Sequence, residues 1–217
     1  MVAYGVKSAK FSLFLMFTIL SIAILILSVI VHEVSHGYMA DFLGDRTARM
    51  AGRLTLNPLK HIDMMGSIIV PLITSLGGLT FGWAKPVPYN PYNLKNRRSG
   101  EFLIAAAGPA SNLAIALIFG TIIRFTSAGM TSMTPFVEIS SYIVIINIVL
   151  AVFNLIPLPP LDGSKLLFSI LPNQYGRVRM MLEAYAPIFI IVVVFFLWQL
   201  VSPIVPSVFK LFTGIGF

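Results

Sequence analysis

The sequence predicts an all-α polytopic membrane protein with about four full spans and one re-entrant or broken segment. Hydrophobic residues make up 57% of the 217 positions and charged residues only 11%, whereas about a quarter of the residues of a soluble domain are charged. The apolar residues form long charge-free runs that short basic stretches separate. This pattern is typical of several membrane-spanning helices, and the length suits one integral-membrane domain over residues 1–217.

The first span is predicted at Phe11 to Val31, a run of 21 residues without a charge that would reach about 31 Å as a helix. Lys7 and Lys10 precede it, as in a signal peptide, but the run is too long for one and lacks a small-residue cleavage site. We therefore expect a retained helix. Further spans are predicted at about 101–125, 136–156 and 183–201, with a short amphipathic helix at about 163–170 and a core of about 11–170.

Composition also excludes several classes of site and partner. The chain has no cysteine, which excludes disulfides, thiolate zinc sites, iron–sulfur clusters and cysteine nucleophiles. The net charge of +7 comes from lysines and arginines spread among the segments between the spans. Such residues orient a membrane protein and face anionic lipid, so we expect a lipid bilayer and no nucleic acid as partner.

The run His32-Glu33-Val34-Ser35-His36 at the end of the first span has the spacing of a metal site. Residues four apart lie on one face of a helix, so the two imidazoles can share one Zn²⁺. The glutamate between them lies beside the open position of the metal, where it can accept a proton. Two interfacial histidines with a chance glutamate are the alternative, but ionisable groups in an apolar span are costly and usually functional.

A catalytic zinc needs a third protein ligand. Asp41 and Asp45 lie among arginines and are interpreted as solvated interfacial charges. Asp162 follows an apolar span and a proline-rich turn, and Gly163 permits a tight backbone path beside it. A helix N-cap is the alternative role for this aspartate, and the two roles can coexist. We select Asp162 as the third ligand.

Three motifs in this order resemble the site-2 protease family of intramembrane zinc metalloproteases. The second motif is Gly108-Pro109-Ala110-Ser111-Asn112, and the third runs from Asn154 to Gly163 with one additional proline, Pro160. The segment 82–88 is also similar to small bacterial members without PDZ or CBS domains. The resemblance covers about residues 25–170.

The resemblance implies that His32, His36 and Asp162 hold one Zn²⁺ per chain and that Glu33 activates water. It also implies that Asn112 and Asn154 steady the substrate strand or the developing oxyanion. From the residues alone, Asn112 could instead cross-link helices, and Asn147 is interpreted as a packing amide. In that family a small membrane-associated β-hairpin follows the first helix, within 37–63, and offers its edge to the substrate.

This ligand set also predicts the topology. If zinc joins the end of the first span to the turn before Asp162, both lie at one membrane face, and the segment 64–80 starts and ends there. Its Pro71 and the Gly77-Gly78 pair suit a re-entrant path. Eleven of the 15 lysines and arginines then fall on this face, which makes it cytoplasmic by the positive-inside rule. We expect a multi-pass protein of the bacterial inner membrane with the zinc site nearer the cytoplasmic face.

These expectations combine into a zinc-dependent endopeptidase that cleaves within or near the transmembrane helices of membrane-protein substrates. The alternative is a non-enzymatic metal-binding transporter or channel. Transport favours an inverted repeat and a path lined by polar side chains, and the sequence has neither. It specifies no oligomeric state.

Overall fold

The computed structural model of the protein describes residues 2–70, 72, 84–127, 134–186 and 198–216. Its three long helices are α1 (Val2–Phe42), α3 (Arg97–Ser127) and α4 (Pro135–Asn154). The shorter α-helices are α2 (Thr47–Met50), α5 (Asp162–Ile170), α6 (Gly176–Ala184), α7 (Trp198–Val201) and α8 (Ile204–Thr213). Single 3₁₀ turns occupy Pro58–Lys60, Pro91–Asn93 and Asn173–Tyr175, and a π-helix occupies Met64–Ile69.

Three helices in the described part of the chain are long and apolar enough to cross a membrane. They cover Leu15–Phe42, Arg97–Thr126 and Pro135–Asn154, and correspond to the first three predicted spans. Most of the span predicted at 183–201 lies outside the described residues, as do Pro71 and the Gly77-Gly78 pair of the predicted re-entrant segment. The fourth span and the re-entrant path stay predictions.

Helix α1 continues well beyond the predicted end of the first span at Val31. It ends at Phe42, just before Gly44, whose φ of +107° favours glycine. The histidine motif therefore lies inside the helix and not at its end. Only 22% of the spanning window is buried, because apolar side chains such as Leu15 and Ile19 point outward, where lipid would cover them.

The bundle core lies between α3 and α4 and is closed by α7 and α8. Its buried side chains are Ala116, Ile123, Val137, Val144, Ile148, Val201, Val205 and Phe209. A Cβ at Gly120 would lie 2.7 Å from the Cβ of Phe212, so glycine allows α8 to approach α3 closely. Close packing of this kind holds membrane helices together, because lipid is as apolar as the side chains themselves.

The hairpin prediction is wrong for residues 37–63, all of which the structure describes, since they contain no strand. Helix α2 begins there instead, because Asp45 accepts hydrogen bonds from the amide and the hydroxyl of Thr47. Asp45 is also fully buried and not solvated as predicted. It accepts further bonds from the Asn90 amide and the Asn93 side chain, which tie this segment to residues 84–93.

Candidate metal centre

The first two residues of the centre come from one face of α1. The four-residue spacing stacks His32 and His36, whose Nε2 atoms lie 3.1 Å apart. Their rings are nearly perpendicular, at 86°, with centroids 4.7 Å apart. Both side chains are buried in the bundle. The helix thus presents two imidazole nitrogens to one point.

Asp162 reaches the same point from the turn between α4 and α5. Its Oδ2 lies 3.0 Å from the Nε2 atoms of both His32 and His36. Asp162 is the first residue of α5 and makes no capping hydrogen bond, so the N-cap alternative is not the one observed. A Cβ at Gly163 would lie 2.3 Å from the Leu155 carbonyl oxygen, so this turn can close only with glycine at that position.

The opposite nitrogen of each imidazole is held by a hydrogen-bond acceptor. His32 Nδ1 lies 2.6 Å from the Asn112 side-chain oxygen, and His36 Nδ1 lies 2.6 Å from the Ile104 carbonyl oxygen. Because carbonyl oxygens only accept, each neutral ring carries its proton on Nδ1. The lone pairs of both Nε2 atoms therefore face Asp162.

These residues fit a divalent metal ion. One nitrogen from each histidine and one oxygen of Asp162 lie within 4.8 Å of one another, and two nitrogens with one oxygen form a known ligand set of catalytic zinc. A Cβ at Gly108 would lie 2.5 Å from His36 Nε2 and 2.6 Å from His32 Nε2. Glycine at this position of α3 leaves room beside the ligand atoms that any other residue would fill.

The charge on Asp162 is fixed by its neighbours. Burial alone would raise the pKa of Asp162, but the positive charge of the nearby Lys165 ammonium lowers it and stabilises the carboxylate. Lys165 Nζ lies 3.2 Å from Oδ1. The ammonium thus occupies one carboxylate oxygen and leaves the other, Oδ2, to face the imidazoles.

Glu33 lies on α1 between the two histidines and is half-buried. Its Oε2 accepts a hydrogen bond of 3.0 Å from the Val87 amide. The residues on either side of Val87, Pro86 and Pro88, have no N–H. The Val87 amide is therefore the backbone donor within residues 86–88. The stretch is itself anchored, because Arg53 donates to the Lys85 carbonyl oxygen at 2.7 Å.

Asn112 and Asn154, the two residues that the resemblance places near the substrate, have different surroundings. Asn112 is fully buried, and its amide nitrogen donates to Asn147 Oδ1 at 2.8 Å and to the Ser28 carbonyl oxygen at 3.3 Å. These contacts favour the alternative in which Asn112 cross-links helices. Asn154 is half-buried and donates to Leu150 O at 2.9 Å, and no contact joins it to the metal centre.

Two other ionisable residues, Glu101 and His61, are engaged elsewhere. Glu101 pairs with Arg97 at 2.8 Å and with Arg179 at 3.1 Å. His61 Nε2 lies 2.8 Å from the Thr55 carbonyl oxygen. Within the described residues, His32, His36 and Asp162 therefore form the group with the geometry of a metal site.

The chain is similar to known proteins over most of its length. The model of peptidase family M50 matches residues 20–134 and 120–200. The chain is 37% identical to "Putative zinc metalloprotease YwhC" of Bacillus subtilis (strain 168) over 204 residues, which are 88% of this chain and 90% of that protein.

A second relative is "Putative zinc metalloprotease Rip2" of Mycolicibacterium smegmatis, 33% identical over 67% of this chain and 54% of the relative. A third is "Zinc metalloprotease MJ0392" of Methanocaldococcus jannaschii, 24% identical over 72% of this chain and 35% of the relative. No solved structure matches the chain significantly. The family model and the first relative both cover most of the sequence, and the chain therefore belongs to peptidase family M50, the family of the site-2 proteases.

Proposed function

We propose that the chain is a zinc-dependent intramembrane endopeptidase, which cleaves within or near transmembrane helices of membrane-protein substrates. One observation carries the proposal: the Nε2 atoms of His32 and His36 and the Oδ2 atom of Asp162 lie 3.0–3.1 Å from one another. The helix that carries both histidines also carries Glu33. The relatives named as zinc metalloproteases support the metal and the reaction class.

In this proposal His32, His36 and Asp162 hold one Zn²⁺ per chain. The bound ion would supply a Lewis acid for the scissile carbonyl and for the attacking water. The chain contributes the orientation of its ligands. The Nδ1 contacts of both histidines fix the rings, and Lys165 holds the second oxygen of Asp162.

Glu33 is the general base and acid of the proposed reaction. It takes a proton from the attacking water and returns it to the leaving amine nitrogen, the role a carboxylate fills when it stands within hydrogen-bond reach of both. The Val87 amide fixes one of its oxygens. Asn154 stays the proposed contact to the substrate strand, because it is half-buried and close to the turn that carries Asp162.

The location of the centre supports a membrane substrate. The two histidines lie on the candidate membrane-spanning helix Leu15–Phe42, which supports access of a peptide bond from within the bundle. A transmembrane helix hides every amide in its own hydrogen bonds and must unwind before it is cut. The eleven basic residues on the same predicted face support a bacterial inner-membrane protein whose zinc site is nearer the cytoplasm.

The experiment compares wild type with Glu33→Gln in detergent, using a fluorogenic peptide that contains a transmembrane sequence. The proposal expects cleavage to fall at least 100-fold with the zinc content unchanged. Glu138→Gln is the matched control, because it changes another carboxylate, in the first turn of α4, and should leave the rate unchanged. Equal activity of wild type and Glu33→Gln would remove Glu33 from the chemistry. Zinc flux into liposomes without peptide cleavage would favour the transporter instead.

A further inference from the structure

A chain of buried polar side chains lies on the far side of His32 from the metal centre. Ser28, Asn112 and Asn147 come from α1, α3 and α4, the three helices long enough to span the membrane. Both asparagines have 0% exposure and Ser28 has 5%. Polar groups buried among apolar helices are costly unless they are paired. The hydrogen-bond partners of these three side chains therefore indicate what the side chains do.

Two backbone carbonyls fix the direction of every hydrogen bond in this chain. The Asn147 amide nitrogen lies 2.9 Å from the Ile143 carbonyl oxygen, which only accepts, so Asn147 must turn its own oxygen toward Asn112. The Asn112 amide nitrogen faces that oxygen and the Ser28 carbonyl. Asn112 therefore turns its oxygen toward His32.

The last bond of the chain sets the proton on His32. Because the Asn112 oxygen can only accept, His32 must donate from Nδ1, at 2.6 Å, and its Nε2 keeps a free lone pair. His36 obtains the same arrangement from a single backbone carbonyl. Ser28 closes the chain, since its hydroxyl accepts from the Asn147 amide nitrogen at 2.9 Å.

We propose that Ser28, Asn112 and Asn147 are positioning residues that hold His32 in the tautomer and orientation required to bind the metal ion. This inference rests on the proposed metal centre. It assigns Asn112 to the histidine and not to the substrate, and it gives Asn147 a part in metal binding although it lies two hydrogen bonds away from His32.

The test measures Zn²⁺ affinity of the full-length protein in detergent by competition with a chromophoric chelator. Asn112→Leu keeps the branched shape but removes the acceptor, and we expect a 10- to 100-fold loss of affinity, the usual effect of losing such a partner. Asn112→Asp loses the amide donor but keeps an acceptor for His32 Nδ1, and it should lose less affinity than Asn112→Leu. A packing role predicts the reverse order, because leucine fits an apolar bundle and a buried carboxylate does not.

A second pair of variants decides the question if Asn112→Asp does not accumulate. Asn147→Leu leaves Asn112 in place but removes the acceptor that orients it, and should lower Zn²⁺ affinity by at least threefold. Ser141→Ala is the matched control on the same helix, because its buried hydroxyl bonds only to the Val137 carbonyl oxygen among the described residues. Its affinity should equal that of wild type.

The outcomes separate this inference from the metal centre itself. Wild-type protein that binds no Zn²⁺ would overturn the centre. Wild-type binding with unchanged affinity in both Asn112→Leu and Asn147→Leu would overturn only the positioning role. The visible spectrum of the Co²⁺-loaded protein provides a further check, because a displaced His32 should change the absorption bands in both leucine variants and leave them unchanged in Ser141→Ala.

Discussion

Replacing Gly108 by alanine is expected to abolish metal binding while the helix stays folded. The new Cβ would lie 2.5 Å from His36 Nε2, and ordinary contact begins near 3.4 Å, so a ring or a helix would have to move by about 0.9 Å. Metal–ligand distances tolerate only about 0.2 Å, and both rings are fixed through Nδ1. We expect Zn²⁺ affinity to fall at least 100-fold, or about 2.7 kcal/mol.

The assay for Gly108→Ala combines metal analysis after chelator dialysis with thermal melting in detergent. Alanine is the better helix former by about 1 kcal/mol, so the variant should melt close to metal-free wild type, because bound zinc itself stabilises the folded state. Gly176→Ala is the matched control, because a Cβ there meets nothing within 4 Å, and it should keep its zinc. A Gly108→Ala protein that binds zinc with wild-type affinity would refute the assignment of this space to the metal.

Three further variants test other parts of the site. Val87→Pro removes the N–H that holds Glu33 and should slow cleavage at least tenfold with zinc retained, whereas Val87→Ala should stay within about threefold; equal losses would assign the effect to packing. Gly163→Ala places a Cβ 2.3 Å from a backbone carbonyl oxygen and should displace Asp162, so that metal analysis finds no zinc. Burial alone would raise the pKa of Asp45, but hydrogen bonds lower it below its ordinary 3.8, so its stabilising charge is present above about pH 4 and is lost as the pH falls below that value. Asp45→Asn should therefore lower the melting temperature at pH 6, and melts between pH 6 and pH 3 should show the difference from wild type shrinking.

The parts of the site that the sequence predicts are those that depend on local spacing. His32 and His36 share a face because one helix carries both, and four residues make about one turn. The turn before Asp162 is visible as prolines followed by Gly163. Its position beside the histidines comes from the packing of α4 on α1 and α3, which spacing along the chain does not encode.

The features that sequence reasoning missed depend on contacts between distant segments. From the sequence alone Asn147 is a packing amide, although Ser28, one turn before His32 on the same helix face, is a signal for a polar chain. The sequence predicts a solvated Asp45, because the partners that the structure gives it, such as Asn90, are 45 residues away. The bonds of that aspartate to Thr47 also support a helical turn in the segment where the resemblance implies a hairpin.

The separation of the ligands along the chain has a consequence for biosynthesis. His32 and Asp162 are 130 residues apart, and ribosomes add about 5–20 residues per second, so the histidine pair precedes the aspartate by roughly 6–26 s. During that interval a nascent chain presents both imidazoles without the aspartate that completes the ligand set. Metal capture by all three ligands thus follows translation of α4 and of the turn after it, and a truncated chain that ends before Asp162 would lack the third ligand.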